Sequence, residues 1–76
     1  MNARETDIFA KRFGEEVKRM RKEQGLSHEA LANQSGVTRP TIANIESCIK
    51  APTITTCYKI AKSLGIRLSD LIKQAE

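Results

Sequence analysis

Residues that build metal sites and disulfide frameworks are scarce in this sequence, which has two cysteines and one histidine among its 76 residues. A structural zinc site needs about four Cys or His ligands, so a single copy of this chain cannot close one. Secreted domains of this size usually carry about four or more cysteines joined in disulfides. We therefore expect reduced thiols, no bound metal and a cytoplasmic protein, with Cys57 in the core and Cys48 in a loop.

Long apolar runs are also missing, since no segment approaches the roughly 20 apolar residues that a membrane-spanning helix needs. The polar N-terminus, with charges of both signs, does not have the pattern of a secretory signal peptide. A chain of 76 residues has room for one small domain, which buries about 60% of its unfolded surface. We expect a flexible N-terminus over residues 1–6, one domain over residues 7–76, and no association with a membrane.

The sequence contains none of the residue groupings that common enzyme mechanisms use. It has no nucleophile paired with a base, no two carboxylates on one helix face and no glycine-rich phosphate loop. These observations predict a protein that is not an enzyme and that holds no cofactor. The net charge of +4 suits a polyanionic partner such as nucleic acid, although many ordinary proteins are as basic.

Apolar residues follow helical spacing throughout, and no segment alternates with the period of a strand. In the first predicted helix, Phe9, Phe13, Val17 and Met20 fall on one face. Gly14 weakens this helix by about 1 kcal/mol relative to alanine, which indicates that close packing requires it. The first, second and fourth predicted helices cover residues 7–24, 28–34 and 54–64. The third begins at residue 38 or 39 and ends at residue 46 or 47, and Ser69 caps a short fifth helix.

The second and third predicted helices have the features that a helix-turn-helix requires. Ala32 is small enough for the third helix to cross over it, and Gly36 can adopt the positive φ of the turn between the two helices. Val37, Ile42 and Ile45 face the core and hold the third helix in place. Each feature alone is common, but together they occur at the spacing of this motif.

Helix-starting residues mark the beginning of both segments. Ser27 is a suitable N-cap for the second helix. Pro40 is tolerated in the first turn of the third helix, where its missing N–H has no intrahelical partner. Because proline disfavours the helical conformation of the residue before it, the N-cap of the third helix is either Thr38 or Arg39.

The order of these motifs along the chain resembles that of the phage repressor and Cro-like (XRE) helix-turn-helix family. The resemblance begins with the segment from Phe13 to Ser47 and continues through Lys50 and Pro52 into the segment 58–71. The resemblance covers roughly residues 13–72. It implies an all-α, five-helix repressor-like helix-turn-helix domain whose third helix enters the major groove of double-stranded DNA.

The resemblance also implies which side chains contact DNA. Arg39 matches a base-contacting position at the start of the third helix, and Asn44 matches another about one turn later. Arginine can bond O6 and N7 of guanine and asparagine N6 and N7 of adenine, each pair giving about 1–3 kcal/mol of discrimination. Outside this motif, both residues would be interpreted as solvated surface side chains. The positions that match DNA-contacting positions of the family are His28, Thr38, Arg39, Pro40, Thr41, Asn44 and Lys50.

Four further positions bear on how this chain follows or departs from the family pattern. Arg21 and Glu46 match a structural ion pair that ties the first helix to the end of the third. His28 stands where the family usually has a phosphate-anchoring glutamine; histidine can still donate to phosphate, and as the cation it would bind more tightly as pH falls. Cys48 stands where the family usually has glycine, and a positive φ there would strain its backbone.

The function that the resemblance implies is sequence-specific DNA binding by a transcription regulator. Because one recognition helix reads few base pairs, we expect a homodimer on a palindromic operator, with half-sites about 34–36 Å apart. We place the dimer surface at residues 67–72, with Tyr58 nearby. The alternative is a protein-interaction module of the same fold, of the antitoxin or coactivator type, although Arg39 and Asn44 favour base reading. A phage-type repressor, a restriction–modification controller and an antitoxin-type autorepressor all remain open.

Overall fold

The computed structural model describes residues 3–76 and confirms the all-α fold, with five helices and no strand in that range. The helices are α1 Ala3–Glu23, α2 His28–Ser35, α3 Arg39–Glu46, α4 Ile54–Leu64 and α5 Leu68–Ala75. Helix α1 packs against α3, α4 and α5, while α2 lies against α3 and α4. The bounds of α2, α3 and α4 agree with the sequence prediction to within one residue.

Helix α1 begins earlier than the sequence pattern predicts, at Ala3 instead of Asp7. The segment 4–9 is exposed, so no burial of apolar side chains marks this first part of the helix. Glu5 lies in the first turn, where a negative charge stabilises a helix through its dipole. Helix therefore covers residues 3–6, which the sequence prediction places before the first helix, and Met1 and Asn2 lie outside the described residues. The flexibility of this terminus stays a prediction.

Side-chain caps fix the starts of α2, α3 and α4. The Ser27 hydroxyl accepts a hydrogen bond from the Ala30 N–H at 3.0 Å. Thr38 caps α3, its hydroxyl accepting from the Thr41 N–H at 3.4 Å. Thr53 caps α4 in the same way. The cap of α3 is thus Thr38, and Arg39 is the first helical residue.

The predicted cap of the last helix is wrong. Helix α5 begins at Leu68, so Ser69 lies within its first turn, and Arg67 occupies the N-cap position without a capping side-chain hydrogen bond. Ile66 and Leu68 pack against the core on either side of this start. The apolar contacts of the segment, and not a polar cap, therefore determine where α5 begins.

A single core fills the space between the helices. Phe13 and Val17 lie in it, whereas Phe9 is 36% exposed at one end of the predicted apolar face of α1. Ile54 also shares the apolar spacing of its helix but is 69% exposed, because it occupies the first position of α4 at the edge of the core. The buried apolar side chains are Phe13, Val17, Leu31, Ala32, Val37, Ile42, Ile45, Cys57, Ile60, Ala61, Leu64, Leu71 and Ala75.

Gly14 lies where α1 crosses the end of α3. A Cβ atom at this position would overlap the backbone carbonyl oxygen of Ile45 and would press on the backbone of Glu46. Neither backbone can move without displacing α3, so this crossing requires glycine. The structure thus contains the close contact that the sequence indicates at this position.

The two cysteines occupy contrasting places. Cys57 is buried in the core, and burial raises the pKa of its thiol, which keeps the sulfur protonated. Cys48 is exposed and has φ of 61°, the only positive φ at a non-glycine residue among residues 3–76. The backbone strain that the sequence indicates at Cys48 is therefore present.

Candidate nucleic-acid interface

Helices α2 and α3 form a compact pair joined by the short turn 36–38. Gly36 has φ of 75°, and its N–H donates to the Ala32 carbonyl to end α2. The Ser35 hydroxyl accepts from the Val37 N–H at 3.2 Å and so rigidifies the turn. Because Val37 is buried, this turn is anchored to the core and holds α3 against α2.

Helix α3 has one buried and one accessible face. Ile42 and Ile45 are 0% and 3% exposed and attach the helix to the core. Arg39 and Pro40 are exposed at its N-terminal end, and Thr41 and Asn44 are half-buried. The accessible face can therefore approach a macromolecular surface while the buried face stays fixed.

Arg39 is the most available of the predicted base-contacting residues. It is exposed, and its side chain forms no hydrogen bond or ion pair with any residue of the described range 3–76. All five guanidinium N–H donors are thus free for an external acceptor. The Asn44 amide likewise has no partner within residues 3–76, and it lies one turn after Pro40 on the same side of the helix.

Thr38 and Thr41 are coupled to each other. Their hydroxyl oxygens are 2.7 Å apart, and the Thr38 oxygen also accepts from the Thr41 backbone N–H. Thr38 is exposed in addition to capping α3. Thr38 thus fixes the N-terminal end of α3 and remains accessible to a ligand there.

A buried ion pair joins α1 to the end of α3. The Nε and Nη2 atoms of Arg21 donate to the two carboxylate oxygens of Glu46 at 2.8 and 3.0 Å. A third guanidinium nitrogen donates to the Leu26 carbonyl at 2.8 Å. The side chains of Arg21 and Glu46 are only 8% and 5% exposed. The predicted positions thus form a bidentate pair, the geometry in which such pairs are strongest.

The Glu46 carboxylate has a second partner that the sequence pattern does not indicate. The His28 Nε2 atom lies 3.0 Å from Glu46 Oε1, and the His28 side chain is 33% exposed. Burial raises the pKa of Glu46, but hydrogen bonds from Arg21 and His28 outweigh burial, so its pKa lies below the ordinary value. The pKa of Arg21 is raised, chiefly by its hydrogen bond to Glu46. The carboxylate is therefore ionised throughout the neutral range.

Lys50 lies in the segment that follows α3. The Ile49 N–H donates to the Asn44 carbonyl at 2.9 Å and the Cys48 N–H to the Ile45 carbonyl at 3.1 Å, which ties this segment to the helix end. Lys50 is exposed and has no ion pair within residues 3–76. A free positive charge therefore lies just beyond the C-terminal end of α3.

An apolar surface, which we call the apolar face, lies beside this segment. Ile49 and Ile54 are each 69% exposed, Ile8 is 44% exposed, and Phe9 and Ile72 line the grooves between them. Sequence reasoning missed this surface, because apolar spacing along each helix does not reveal which apolar residues remain uncovered. Large exposed apolar surfaces usually mark sites of association.

No three His, Cys, Asp or Glu side chains of residues 3–76 are arranged so that they could hold a metal ion. Within the same range, no helix is long and apolar enough to cross a membrane.

The short α2–α3 pair, its glycine turn and the accessible N-terminal end of α3 define a DNA-binding helix-turn-helix domain of the transcription-regulator class. The sequence pattern of the helix-turn-helix family matches residues 17–71. The chain therefore belongs to the helix-turn-helix family, as the resemblance of its motifs indicates.

Individual relatives agree with this assignment. The chain is 35% identical over 63 residues to the HTH-type transcriptional regulator PuuR of Escherichia coli, covering 83% of this chain and 34% of PuuR. It thus spans about a third of the length of that relative. The control protein C.MunI of a Mycoplasma species is 36% identical over 66 residues, which cover 86% of this chain and 89% of C.MunI.

Solved structures show the same fold. The restriction-modification controller protein C.AhdI from Aeromonas hydrophila superposes with a TM-score of 0.78 at 29% identity. The superposition covers 82% of this chain and 94% of C.AhdI. Similarity in sequence and in fold thus extends over nearly the whole domain.

Proposed function

We propose that this chain regulates transcription by binding a palindromic DNA operator sequence-specifically as a homodimer. The observation that carries the proposal is the free, exposed guanidinium of Arg39 on a helix whose opposite face is fixed in the core. The relatives named as transcriptional regulators and control proteins support the same function.

In the proposed complex, α3 lies in the major groove. Arg39 donates two hydrogen bonds to a guanine, and Asn44 pairs in the same way with an adenine. Pro40 and Thr41 contact thymine methyl groups with their apolar atoms. Lys50 neutralises a backbone phosphate beyond the end of the helix, which adds affinity without base specificity.

Phosphate contacts at the N-terminal ends of α2 and α3 orient the domain. The Ser27 and Thr38 caps each take one backbone N–H of the first turns, at Ala30 and Thr41, and Pro40 has none. The N–H groups of His28 and Glu29 in α2 and of Arg39 in α3 have no intrahelical partner, and the helix dipole makes these ends attractive to anions. His28 is the first residue of α2, and Thr38 caps α3, so the two side chains lie at these ends. We place one backbone phosphate at each.

The homodimer supplies the second half-site. Leu71 of the predicted dimer segment is fully buried and cannot contact a partner, whereas Ile72 borders the apolar face. We therefore move the proposed dimer contact to the apolar face, at Ile72, Ile49 and Ile54, and away from Arg67 and Tyr58. Burial of each exposed isoleucine would contribute about 1.5–3 kcal/mol to association. The segment that carries Ile49 continues directly from α3, so the proposed dimer contact lies next to the end of this helix.

A selection of binding sites from random duplex DNA tests the proposal, run at about 0.15 M salt, the physiological value. We expect the wild type to enrich a palindrome and Arg39→Ala to lose preference at one symmetric pair of positions. Loss of contact with one base pair corresponds to about 1–3 kcal/mol. No enriched site, together with binding that vanishes as salt rises, would refute base reading.

A second candidate function is supported by the apolar face. A protein-interaction module of the same fold would use this surface for a different protein and would not need Arg39. The two proposals differ in the selection experiment, because such a module enriches no DNA sequence. Neither proposal assigns the chain a catalytic role, and both place it in the cytoplasm, where its two free thiols stay reduced.

A further inference from the structure

His28 connects the buried ion pair to the end of α2 where the proposed function places a phosphate. Its Nε2 atom faces the Glu46 carboxylate at 3.0 Å, and its side chain is one-third exposed. The other ring nitrogen, Nδ1, forms no hydrogen bond within residues 3–76. Since the two nitrogens of an imidazole point away from each other, Nδ1 is directed away from Glu46.

The carboxylate determines which nitrogen carries the proton when the ring is neutral. Glu46 is ionised, because the Arg21 guanidinium donates to both of its oxygens. An ionised carboxylate only accepts hydrogen bonds, so Nε2 must donate to it. In the neutral ring, Nδ1 then holds a lone pair and is an acceptor. A phosphate oxygen is also an acceptor and finds no donor on this side chain.

We propose that Glu46 makes His28 a proton-gated phosphate contact, in which Nδ1 donates to a DNA phosphate only when the ring carries a second proton. This inference rests on the proposed DNA-binding function and specifies the regulation of that site. In the protonated ring, Nε2 still donates to Glu46, while Nδ1–H becomes a charged donor facing the DNA backbone. Glu46 acts as a positioning residue, since it touches His28 and not the DNA.

The charges around the ring are consistent with this division of roles. From α3 the ring faces Glu46 Oε1. From α1, Arg21 donates to this same oxygen and to Oε2 of the carboxylate. Glu29, next to His28 on α2, is exposed. The hydrogen bond between α4 and α2 runs from Ser63 to Gln34, near the other end of α2.

Two linked effects follow. DNA binding takes up a proton at Nδ1 of His28, so the dissociation constant falls as pH falls. The additional phosphate contact also steepens the dependence of log affinity on log salt by about 0.9 for each half-site at low pH. The chain has one histidine, and histidine is the side chain whose charge ordinarily changes between about pH 5 and pH 8. Comparison with a His28 variant over that pH range therefore isolates the contribution of this ring.

The experiment measures operator affinity and its salt dependence across that pH range, for the wild type and for His28→Gln. We expect the wild-type dissociation constant to fall severalfold toward low pH and its salt dependence to steepen. The glutamine amide does not titrate, so His28→Gln should show a flat pH profile and a constant salt slope. Circular dichroism at each pH verifies that both proteins stay folded.

A second measurement needs no DNA and no variant. Nitrogen-15 chemical shifts of the His28 ring in the free protein at neutral pH identify the protonated nitrogen. We expect the Nε2–H tautomer. The Nδ1–H tautomer, or a pH profile shared by the wild type and His28→Gln, would overturn the inference while leaving the proposed function intact. Absence of specific DNA binding by the wild type at every pH would overturn both.

Discussion

At the residue scale, Glu46 shows how one buried carboxylate supports two features of the domain. It pairs with Arg21 of α1 and with His28 of α2, so three helices meet at one charge. Its pKa is lowered in the folded state, because the donated hydrogen bonds outweigh burial. The stability that its charge contributes is therefore complete above its ordinary pKa and is lost as pH falls through the lower, folded pKa.

Replacing Arg21 with methionine should destabilise the fold strongly. The change leaves the Glu46 charge buried without its bidentate partner, which costs about 3–5 kcal/mol. The matched control is Arg19→Met, since Arg19 pairs with Glu16 and Glu23 on the exposed side of the same helix. Urea unfolding followed by circular dichroism measures both. Equal losses in the two variants would contradict a special role for the buried pair.

The strained backbone at Cys48 predicts a stabilising substitution. Its φ of 61° lies in the left-handed region, which costs an L-residue roughly 1–2 kcal/mol and costs glycine nothing. Glycine also loses more chain entropy on folding, by about 0.5–1 kcal/mol, so the net stabilisation by Cys48→Gly should be between about 0 and 1.5 kcal/mol.

The neighbouring Ser47 provides the control for that prediction. Ser47 is also exposed but has φ of −88° in the right-handed region. Ser47→Gly gains no strain relief, so we expect it to lower the midpoint of urea unfolding while Cys48→Gly raises it. A lower midpoint for both variants would show that strain at Cys48 is negligible.

At the element scale, the N-terminal end of α3 combines a structural cap with the proposed DNA contacts. Thr38 caps this helix, and Thr53 caps α4 with a similar threonine pair. The two caps are chemically alike, but only the first lies at the proposed interface. Comparing variants of the two caps therefore separates an effect on fold stability from an effect on DNA binding.

Thr38→Ala and Thr53→Ala should each destabilise the fold by about 1 kcal/mol, the usual loss for an N-cap threonine. Only Thr38→Ala should also weaken operator binding, since it removes a hydroxyl and disorders the end of α3 at the DNA. Thermal unfolding and a binding titration on the same samples test both effects. Comparable losses of DNA affinity would mean that Thr38 acts through stability alone.

At the scale of the whole molecule, the dimensions of the domain bear on how it reads an operator. The described residues extend over 35 × 23 × 21 Å and contain one accessible α3. Two half-sites are about 34–36 Å apart along DNA, so reading both needs a second copy. The apolar face is the surface that we assign to this pairing.

Ile54→Asp should convert the dimer to a monomer and weaken operator binding. Ile54 is 69% exposed, so an aspartate there leaves the core intact but places a charge in the dimer contact. Tyr58→Asp is the control, because Tyr58 is 54% exposed on the same helix but does not line the apolar face. Sedimentation measures both variants. Dissociation of Tyr58→Asp alone would move the dimer contact to the surface that Tyr58 forms with Arg67 and Leu68.

Local sequence signals were enough to predict five helices, most of their bounds and the family. Ser27 caps the start of α2, and the glycines at positions 36 and 65 end α2 and α4, each through contacts within one turn of the chain. Apolar spacing is likewise a property of a single helix, so nearby residues suffice to locate α2 and α4. The placement of Arg39 and Asn44 on an accessible face follows from the same spacing. Whether these residues contact DNA stays a prediction.

Features that depend on contacts between helices could not be predicted from local signals and became visible in the folded domain. Helix α5 begins at Leu68 because apolar contacts there replace a polar cap. His28 meets Glu46 across 18 positions of the chain, a pairing that no local pattern encodes. Ile54 has core-like spacing yet is exposed, since burial depends on which neighbouring helix covers a residue. Local propensity therefore sets the helices, and packing between them sets the site.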